Sequence, residues 1–348
     1  MYLFGRRVDV VQAVVWGIGL ALLALVLIGS IRTLASGQYS TRQWLDFIIF
    51  GLAQGGIYAL IALGYTMVYG VLRLINFAHG EVFMAGAFTA YFFADSLDER
   101  GLTEGAPLLS LLALMFFSAL VSTVVALVLE RVAYRPLRRA PRLVPLITAI
   151  GASFFLQYTF RGFYGTGVQV YPDIPMLSGR LFGIQRTLIV VFVCALGMLG
   201  LLYAFIQGTK TGRAIRAVSE DLETAALMGV DVDRTIAITF AVGGAMAGVA
   251  GVLYALVFSQ VNFTMGFIPG VKAFTAAVLG GIGNVPGAAV GGVFLGIIES
   301  IGPTLFLEGL GIKAAHQLKD VIAFTMLVLI LIFRPTGILG ERLATKRA

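Results

Sequence analysis

Residues 187–206 read TLIVVFVCALGMLGLLYAFI, and Gly208–Arg234 follow as GTKTGRAIRAVSEDLETAALMGVDVDR before a second apolar run over residues 235–258. An α-helix rises 1.5 Å per residue, so about 20 apolar residues cross the hydrocarbon core of a bilayer. Both apolar runs have that length, whereas the segment between them is rich in charge. The pattern predicts two membrane-spanning helices joined by a polar segment outside the hydrocarbon core.

The polar segment between these runs has the period of an amphipathic helix. Its apolar and small residues recur at helical spacing at Ile215, Val218, Leu222, Ala225 and Gly229. Its charged residues fall largely on the opposite side, at Arg213, Arg216, Glu220 and Glu223. We therefore predict a short helix here with one face free for a partner.

The centre of this helix runs from Glu223 to Gly229 and is rich in small residues. Small residues let a partner's surface approach closely, and a glycine after a helix permits a tight turn back to the bilayer. We predict that Glu223, Ala225, Ala226 and Gly229 dock a soluble partner that drives the membrane domain. An amphipathic connector that lies on the lipid surface is the alternative interpretation.

The whole chain has the composition of a membrane protein. Of its 348 residues, 59% are hydrophobic and only 12% are charged. We predict an all-α fold, a polytopic transmembrane helical bundle of about ten spans, some of which can be broken or re-entrant. The spans are expected near residues 11–31, 45–68, 77–94, 107–130, 143–163, 187–206, 235–258, 271–283, 286–303 and 317–333. The first span could also be a secretory signal, but it lacks a convincing cleavage site and is interpreted as a membrane helix.

Charge and reactive residues exclude several classes of function. The net charge of +7 comes from basic residues in loops beside the membrane, so it does not indicate nucleic-acid binding. The sequence shows no phosphate-binding glycine loop, no cluster with metal-ligand spacing and no serine–histidine–aspartate array. The single cysteine, Cys194, excludes an internal disulfide. The chain is therefore expected not to be an enzyme and to hold no cofactor or metal of its own.

The basic residues also predict an orientation. With the N-terminus inside, the inner segments hold 16 of the 25 lysines and arginines. The acidic loop Asp95–Glu104 then falls outside. Because basic residues favour the cytoplasmic side, both termini are expected in the cytoplasm, together with the polar segment Gly208–Arg234.

Two segments look irregular at membrane depth. The first, Arg73–Glu81, interrupts two apolar runs without a proper loop, and the second, Gly280–Gly287, holds four glycines besides a proline and an asparagine between short apolar stretches. Non-helical backbone inside a bilayer survives only where it is buried in protein or lines a wet cavity, and broken helices often mark a substrate path. We predict that the two segments lie close together and line such a path through Asn76, His79, Glu81, Gly281, Gly283 and Asn284.

A plainer interpretation remains open for each part of this path. Both segments can instead be tight turns outside the membrane. His79 can be a structural hydrogen-bonding residue, and Glu81 can be a helix-start carboxylate that the helix dipole stabilises. Polar residues inside other spans, such as Gln54 and Glu299, can serve helix–helix bonding as readily as function.

Several motifs, in order along the chain, together resemble one protein family. They are Gly64–Gly70 (GYTMVYG), Ile75–Glu81 (INFAHGE), Glu130–Arg138 (ERVAYRPLR), Gly212–Arg216 with Glu220–Glu223, Lys272–Gly283 (KAFTAAVLGGIG) and Pro335–Gly340 (PTGILG). The chain resembles the permease subunits of branched-chain amino acid ABC importers. The segment around Glu223 resembles the loop by which ABC permeases dock their ATPases, although its alanines stand two and three places after Glu223 and the usual downstream proline is missing.

The resemblance implies a division of labour among several proteins. A second related permease would share the path, two cytoplasmic ATPase subunits would bind ATP and magnesium, and a periplasmic or surface-anchored binding protein would deliver leucine, isoleucine or valine. The chain itself would lie in the bacterial inner membrane. It would comprise residues 1–44 as an N-terminal extension with an additional helix, 45–340 as the permease domain and 341–348 as a cytoplasmic tail.

Two other functions stay open from the sequence. A permease for urea or short-chain amides would have the same architecture with a different binding protein. A secondary transporter or channel would work without an ATPase, but it would need an intramembrane relay of ionisable groups, and the few acidic residues do not form one by their spacing.

Overall fold

The computed structural model describes residues 2–3, 6–7, 10–138, 140–141, 143–334 and 336–340, so the predicted tail at 341–348 lies outside the described residues. The α-helices are α1 Val10–Ser36, α2 Thr41–Leu72, α3 His79–Glu99, α4 Leu102–Gly105, α5 Pro107–Leu129, α6 Leu143–Tyr164, α7 Arg186–Gly208, α8 Lys210–Glu220, α9 Leu222–Leu227, α10 Val232–Phe258, α11 Phe267–Gly280, α12 Val285–Gly302 and α13 Lys319–Phe333. Single π-helical turns extend α5 over Glu130–Tyr134 and α12 over Pro303–Leu307. Further 3₁₀ turns lie at Arg135–Leu137, Pro175–Leu177, Glu308–Leu310 and Ala315–Leu318.

The strands are all two residues long. They are β1 Tyr2–Leu3, β2 Arg6–Arg7, β3 Gln169–Val170, β4 Arg180–Leu181, β5 Ile184–Gln185 and β6 Gln260–Val261. They form three antiparallel pairs, β1 with β2, β3 with β6 and β4 with β5. The prediction of an all-α polytopic bundle is confirmed.

Eight helical segments of the described residues are long and apolar enough to cross a membrane. They are Ala13–Ser36, Thr41–Leu72, Pro107–Leu137, Leu143–Tyr164, Arg186–Gly208, Val232–Phe258, Val285–Leu310 and Ala315–Phe333. The other two of the ten predicted spans are also helical, but α3 carries acidic residues near both ends and α11 has only 14 residues. Of the two, only α11 is too short to cross the hydrocarbon core as a single helix.

The bundle is built around α2 and α10, the two most buried spans. Helices associate in lipid mainly through close packing of small residues, and α2 packs on α12 in this way. A Cβ at Gly55 would lie 2.7 Å from the Cα of Val293, and a Cβ at Gly292 would lie 2.5 Å from the Cα of Ala59. The hydroxyl of Ser300 donates to the carbonyl of Phe47 over 2.6 Å. These contacts make the two helices antiparallel neighbours.

A similar contact joins α10 to α5. Gly244 and Gly248 lie against the α5 backbone around Ser118 and Ser122. The Ser118 hydroxyl donates to the carbonyl of Gly248 over 2.7 Å, and the Ser122 hydroxyl donates to the carbonyl of Val82 in α3 over 2.8 Å. The serines therefore satisfy their hydroxyls between helices and hold α3, α5 and α10 together.

One end of the bundle collects the connections around α8, and we call it the α8 end. The α2 helix ends there at Leu72, and the guanidinium of Arg73 donates to the carbonyl of Ser219 in α8 over 2.6 Å. Arg135, just after the α5 extension, forms a 2.6 Å ion pair with Asp233 at the start of α10. Because α12 runs antiparallel to α2, the α11–α12 turn lies at the same end.

Candidate functional site

The polar segment at the α8 end folds as two helices rather than the single helix that its periodicity predicts. The backbone is extended at Asp221, with φ −149° and ψ 112°. Its carboxylate accepts the N–H of Thr224 over 2.8 Å and so begins α9. These hydrogen bonds to Thr224 hold the pKa of Asp221 below its usual value. The prediction of one continuous helix was wrong. An aspartate can lie within a helix, but its side chain can also bond a nearby backbone N–H and start a new helix, as Asp221 does here.

The predicted turn at Gly229 is confirmed. Its φ is +87°, which a side chain would strain. The N–H of Val230 donates to the carbonyl of Ala225 over 3.1 Å, and the N–H of Gly229 donates to that of Ala226 over 3.0 Å. This pair of bonds is the Schellman ending of a helix, so α9 is a single stiff unit capped at both ends.

The predicted docking residues do not share one environment. Glu223, Ala226 and Gly229 are exposed, whereas Ala225 is buried inside this chain and serves its packing. The sequence interpretation missed two large apolar residues beside them, Leu227 and Met228, which are 88% and 80% exposed. Leu222, which the periodicity placed on the apolar face, is exposed as well. We call Leu222–Gly229 the α9 tip.

The first irregular segment lies inside the bundle from Asn76 to Glu81, whereas Arg73 is exposed at the α8 end. After Leu72 the chain reverses at Arg73, which has a φ of +55°, and α3 begins at His79. The imidazole of His79 packs where a side chain at Gly64 would collide with it, next to Gly243. Gly64 lies eight residues before the end of α2, and Gly243 eleven residues after the start of α10. At 1.5 Å per residue, His79 therefore lies about 12–17 Å from the α8 end, near the middle of a bilayer.

Neighbouring helices hold this segment in place. The hydroxyl of Tyr134, in the π-helical turn after α5, donates to Oδ1 of Asn76 over 2.8 Å. The ring of Tyr65 packs edge-on against His79 with 4.9 Å between ring centroids. Asn76 and His79 thus fix the non-helical entry to α3. Both side chains are buried, so their positions fit a role in helix packing as well as a role in lining a substrate path.

Glu81 lies beside them, in the first turn of α3, and lines a cleft. The cleft is walled by α2, α3, α6, α11 and the connections that precede α3 and α11. Its lining residues are Tyr65, Phe77, Gly80, Glu81, Ile150, Ser153, Phe154, Gly266, Phe267, Gly270 and Val271. The Glu81 side chain is buried, and the residue is only 1% exposed. The hydroxyl of Ser153 donates to its Oε1 over 3.3 Å, while Oε2 has no hydrogen-bond partner among the described residues.

The second irregular segment is a tight turn at the α8 end, the interpretation that the sequence had left as the alternative. Gly281 and Gly283 have φ of +108° and +96°. The Asn284 side chain accepts the N–H of Gly287 over 2.8 Å and donates to the carbonyl of Leu339 over 3.0 Å. The segment therefore connects α11 to α12 and packs on residues 336–340.

The two irregular segments are separated by the length of α11. Gly80 contacts Gly266 and Gly270 at the beginning of that helix, whereas Gly280, which ends it, lies ten residues after Gly270. This is about 15 Å along the axis. The structure thus brings Asn76, His79 and Glu81 together but sets Gly281, Gly283 and Asn284 apart from them. The break in a span falls instead before α11, which begins inside the bundle.

The structure also groups charges that sequence spacing had not connected. Nζ of Lys272 in α11 lies 2.5 Å from Oε1 of Glu299 in α12 and 2.6 Å from Oδ1 of Asp320 in α13. Nε2 of Gln54 donates to the same Glu299 oxygen over 3.3 Å and to the hydroxyl of Tyr58 over 2.6 Å. The signal in the sequence was the lone Lys272 in an apolar run, which requires a buried acidic partner.

A multi-pass helical bundle that has a buried carboxylate in an otherwise apolar cleft, and a capped helix at one end, is the architecture expected of a membrane transport protein. The family model described as "Branched-chain amino acid transport system / permease component" matches residues 47–331. The chain belongs to this family. It is a transport component of the membrane.

Three relatives illustrate the similarity. The "High-affinity branched-chain amino acid transport system permease protein BraD" of Pseudomonas aeruginosa is 44% identical over 308 residues, which cover 86% of this chain and 96% of that protein. The permease protein LivH of the same kind of system in Escherichia coli strain K12 is 42% identical over 316 residues, 86% of this chain and 98% of that protein. A "Probable branched-chain amino acid transport permease protein LivM" of Methanocaldococcus jannaschii is 24% identical over 338 residues, 86% and 94%.

Proposed function

We propose that this chain is a permease subunit of an ATP-driven importer that moves branched-chain amino acids, leucine, isoleucine and valine, into the cytoplasm. The names of BraD and LivH support the substrate class. Similarity to both LivH and LivM supports a partnership with a second, related permease. Two ATPase subunits that bind ATP and magnesium, and a periplasmic binding protein, complete the proposed system.

The observation that best supports an ATP-driven transporter is the exposed apolar surface of the α9 tip. The apolar residues of α8, Ile215 and Val218, are buried within the chain, so this face of the segment is already used by the bundle. Leu227 and Met228 remain uncovered on a helix whose ends are both capped. A rigid apolar projection outside the membrane fits a groove on a soluble partner and can transmit force to α8 and the bundle.

The proposed contact consists of Glu223, Ala226 and Gly229 with the large apolar residues around them. Ala226 permits close approach, and the positive φ of Gly229 sets the direction in which the chain leaves the contact. Ala225 supports this surface from inside. The docking partner would be an ATPase subunit, which places the α8 end, and with it both chain termini, in the cytoplasm of a bacterial cell whose inner membrane holds the bundle.

The proposed path for the amino acid passes the segment Asn76–Glu81, because irregular backbone and polar groups lie there near the middle of the membrane. Gly281, Gly283 and Asn284 lie at the cytoplasmic end in this orientation. They would contribute at the exit of the path and not at its centre.

The test is uptake of radioactive leucine into vesicles that hold the complete complex, together with co-purification of the ATPase. We expect Ala226→Trp and Leu227→Asp to lower both at least about tenfold, because each disrupts a desolvated contact at the centre of the interface. Lys210→Trp is the matched control, a bulky change at the exposed start of α8, and should leave both readouts unchanged.

Two outcomes would overturn parts of this proposal. Normal uptake and normal ATPase association in both tip variants would show that the α9 tip is not the docking surface. Leucine uptake that persists in vesicles without any ATPase would instead support a secondary transporter, for which the neighbouring groups Lys272, Glu299 and Asp320 form one cluster of ionisable residues.

A further inference from the structure

Glu81 is a buried carboxylate without a cation. One of its oxygens is met by Ser153, and the other has no hydrogen-bond partner among the described residues. An unpaired charge inside a membrane domain is expensive, and such residues almost always pair with another group or mark a ligand path. The position of Glu81 therefore calls for a positively charged group that visits the cleft.

The start of α3 offsets part of the cost of burying this carboxylate as an anion. Glu81 lies in the first turn of the helix, where the aligned peptide dipoles leave a partial positive charge. An ionised carboxylate accepts hydrogen bonds through both oxygens. Oε2 is thus an acceptor without a partner among the described residues, on a side chain that lines the cleft. The close backbone contact of Gly80 with Gly266 and Gly270 brings α3 and the start of α11 together beside it.

The remaining walls of the cleft are apolar. Phe77, Ile150, Phe154, Phe267 and Val271 surround the carboxylate with aromatic and aliphatic surface. One anionic group in an apolar chamber complements a molecule with one cationic group and an aliphatic body. Leucine, isoleucine and valine carry such an α-ammonium and such a side chain, and their α-carboxylate would have to lie towards the mouth of the cleft, away from Glu81.

We infer that the Glu81 cleft is the membrane binding site for the transported amino acid, with the Glu81 carboxylate accepting the substrate's α-ammonium and the apolar walls holding its side chain. This inference rests on the proposed function and adds the recognising group to it. Ile150, Phe154 and Phe267 are partly exposed at the mouth of the cleft, which the second permease would cover. A single charged contact in an otherwise apolar chamber binds weakly, as rapid passage requires.

The cleft can be examined with thiol labelling in the complete complex, with Cys194 first replaced by serine. Ile150→Cys and Phe154→Cys each place a thiol at the mouth. We expect leucine and isopentylamine to slow the labelling of at least one thiol, because both carry the ammonium. The keto acid 4-methyl-2-oxopentanoate has the same side chain without the ammonium and should give no protection.

Glu81→Gln decides which group is recognised. In this variant leucine should lose its protection, and leucine uptake should fall at least about tenfold, the loss expected for one charge-assisted hydrogen bond. ATPase association should stay normal. Glu81→Asp should retain part of the uptake, and Glu104→Gln, at an exposed loop carboxylate, should change nothing.

The outcomes separate this inference from the function on which it rests. If the unaltered complex shows no ATP-dependent leucine uptake, the proposed function fails. If the unaltered complex imports leucine while Glu81→Gln imports it equally well, or while the keto acid protects as well as leucine does, the function stands and the role of Glu81 is overturned.

Discussion

Glu81 and Glu299 are both buried in the same helical bundle, at 1% and 3% exposure, but their surroundings differ. Glu299 meets the ammonium of Lys272 at 2.5 Å and the amide of Gln54. Among the described residues, Glu81 meets only the hydroxyl of Ser153. The two carboxylates thus have similar burial and opposite degrees of pairing.

This difference in pairing indicates two roles: Glu299 holds helices together, whereas Glu81 can receive a ligand. Lys272, Glu299 and Asp320 come from three successive helices, so their ion pairs fix α11, α12 and α13 relative to one another. Glu81 fixes no helix through charge and lines an open cleft instead. Removing one member of a buried ion pair is strongly destabilising because the other charge is left uncompensated, whereas a carboxylate without a partner can accept a ligand without losing an internal ion pair.

Breaking the paired region should have the largest effect. Lys272→Met removes the cation from Glu299 and Asp320 and leaves an uncompensated buried carboxylate, which costs about 3–5 kcal/mol in buried pairs. We expect a severe loss of folded protein after purification in detergent and a large drop in the thermal unfolding midpoint. Lys313→Met, at an exposed lysine, is the control. An unchanged midpoint in Lys272→Met would show that the ion pairs do not hold the helices.

A neutralising change at each carboxylate should sharpen the contrast. Glu299→Gln removes a charge that Lys272 needs and should lower the unfolding midpoint, by an amount equivalent to about 1–3 kcal/mol. Glu81→Gln removes an unpaired charge and should leave the midpoint equal or higher. The measurement is thermal unfolding of the two purified variants side by side, and the same downward shift in both would remove the distinction drawn here.

Most of the fold could be predicted from the sequence because run length alone determines a membrane helix. The part-span helix α11 was harder. The short apolar stretch before Gly280 fits a broken helix, but the break falls at its beginning, where Gly266 approaches Gly80. The glycines after it have positive φ and belong to a turn capped by Asn284. A glycine-rich sequence is compatible with a broken helix and with a tight turn, and the packing of the surrounding helices determines which of the two forms.

The candidate sites were also predictable to different degrees, because some depend on a local sequence signal and others on packing between helices. Asn76, His79 and Glu81 stand out because polar residues interrupt apolar runs, and a local signal suffices to find them. The link between Lys272 and Glu299 joins residues on different helices and depends on how α11 packs on α12. The exposed Leu227 and Met228 were overlooked because helical periodicity assigns apolar residues to the buried face, and Asp221 ends that periodicity.

Asp221 is a third carboxylate, and it extends the comparison to one that is fully exposed. Its partner is neither a cation nor a ligand but the backbone N–H of Thr224, at 2.8 Å. Asp221→Ala removes this cap, so the amides of α9 should exchange with solvent faster. The unfolding midpoint should not change, because the contact is local and solvated. Asp221→Asn, which keeps an accepting oxygen at the cap, should restore slow exchange.

Acidity should reproduce the Asp221→Ala effect without a mutation. The hydrogen bonds to Thr224 lower the pKa of Asp221 in the folded protein, so the capped state is favoured at pH values above the carboxyl's ordinary pKa, about 4. The stabilisation is lost as the pH falls through the lowered folded value. Hydrogen exchange of α9, corrected for the intrinsic rate at each pH, should therefore accelerate below about pH 4 in the unaltered protein and stay constant in Asp221→Asn. Equal acceleration in both proteins would assign the change to another group, and the α9 tip would then owe its shape to Gly229 alone.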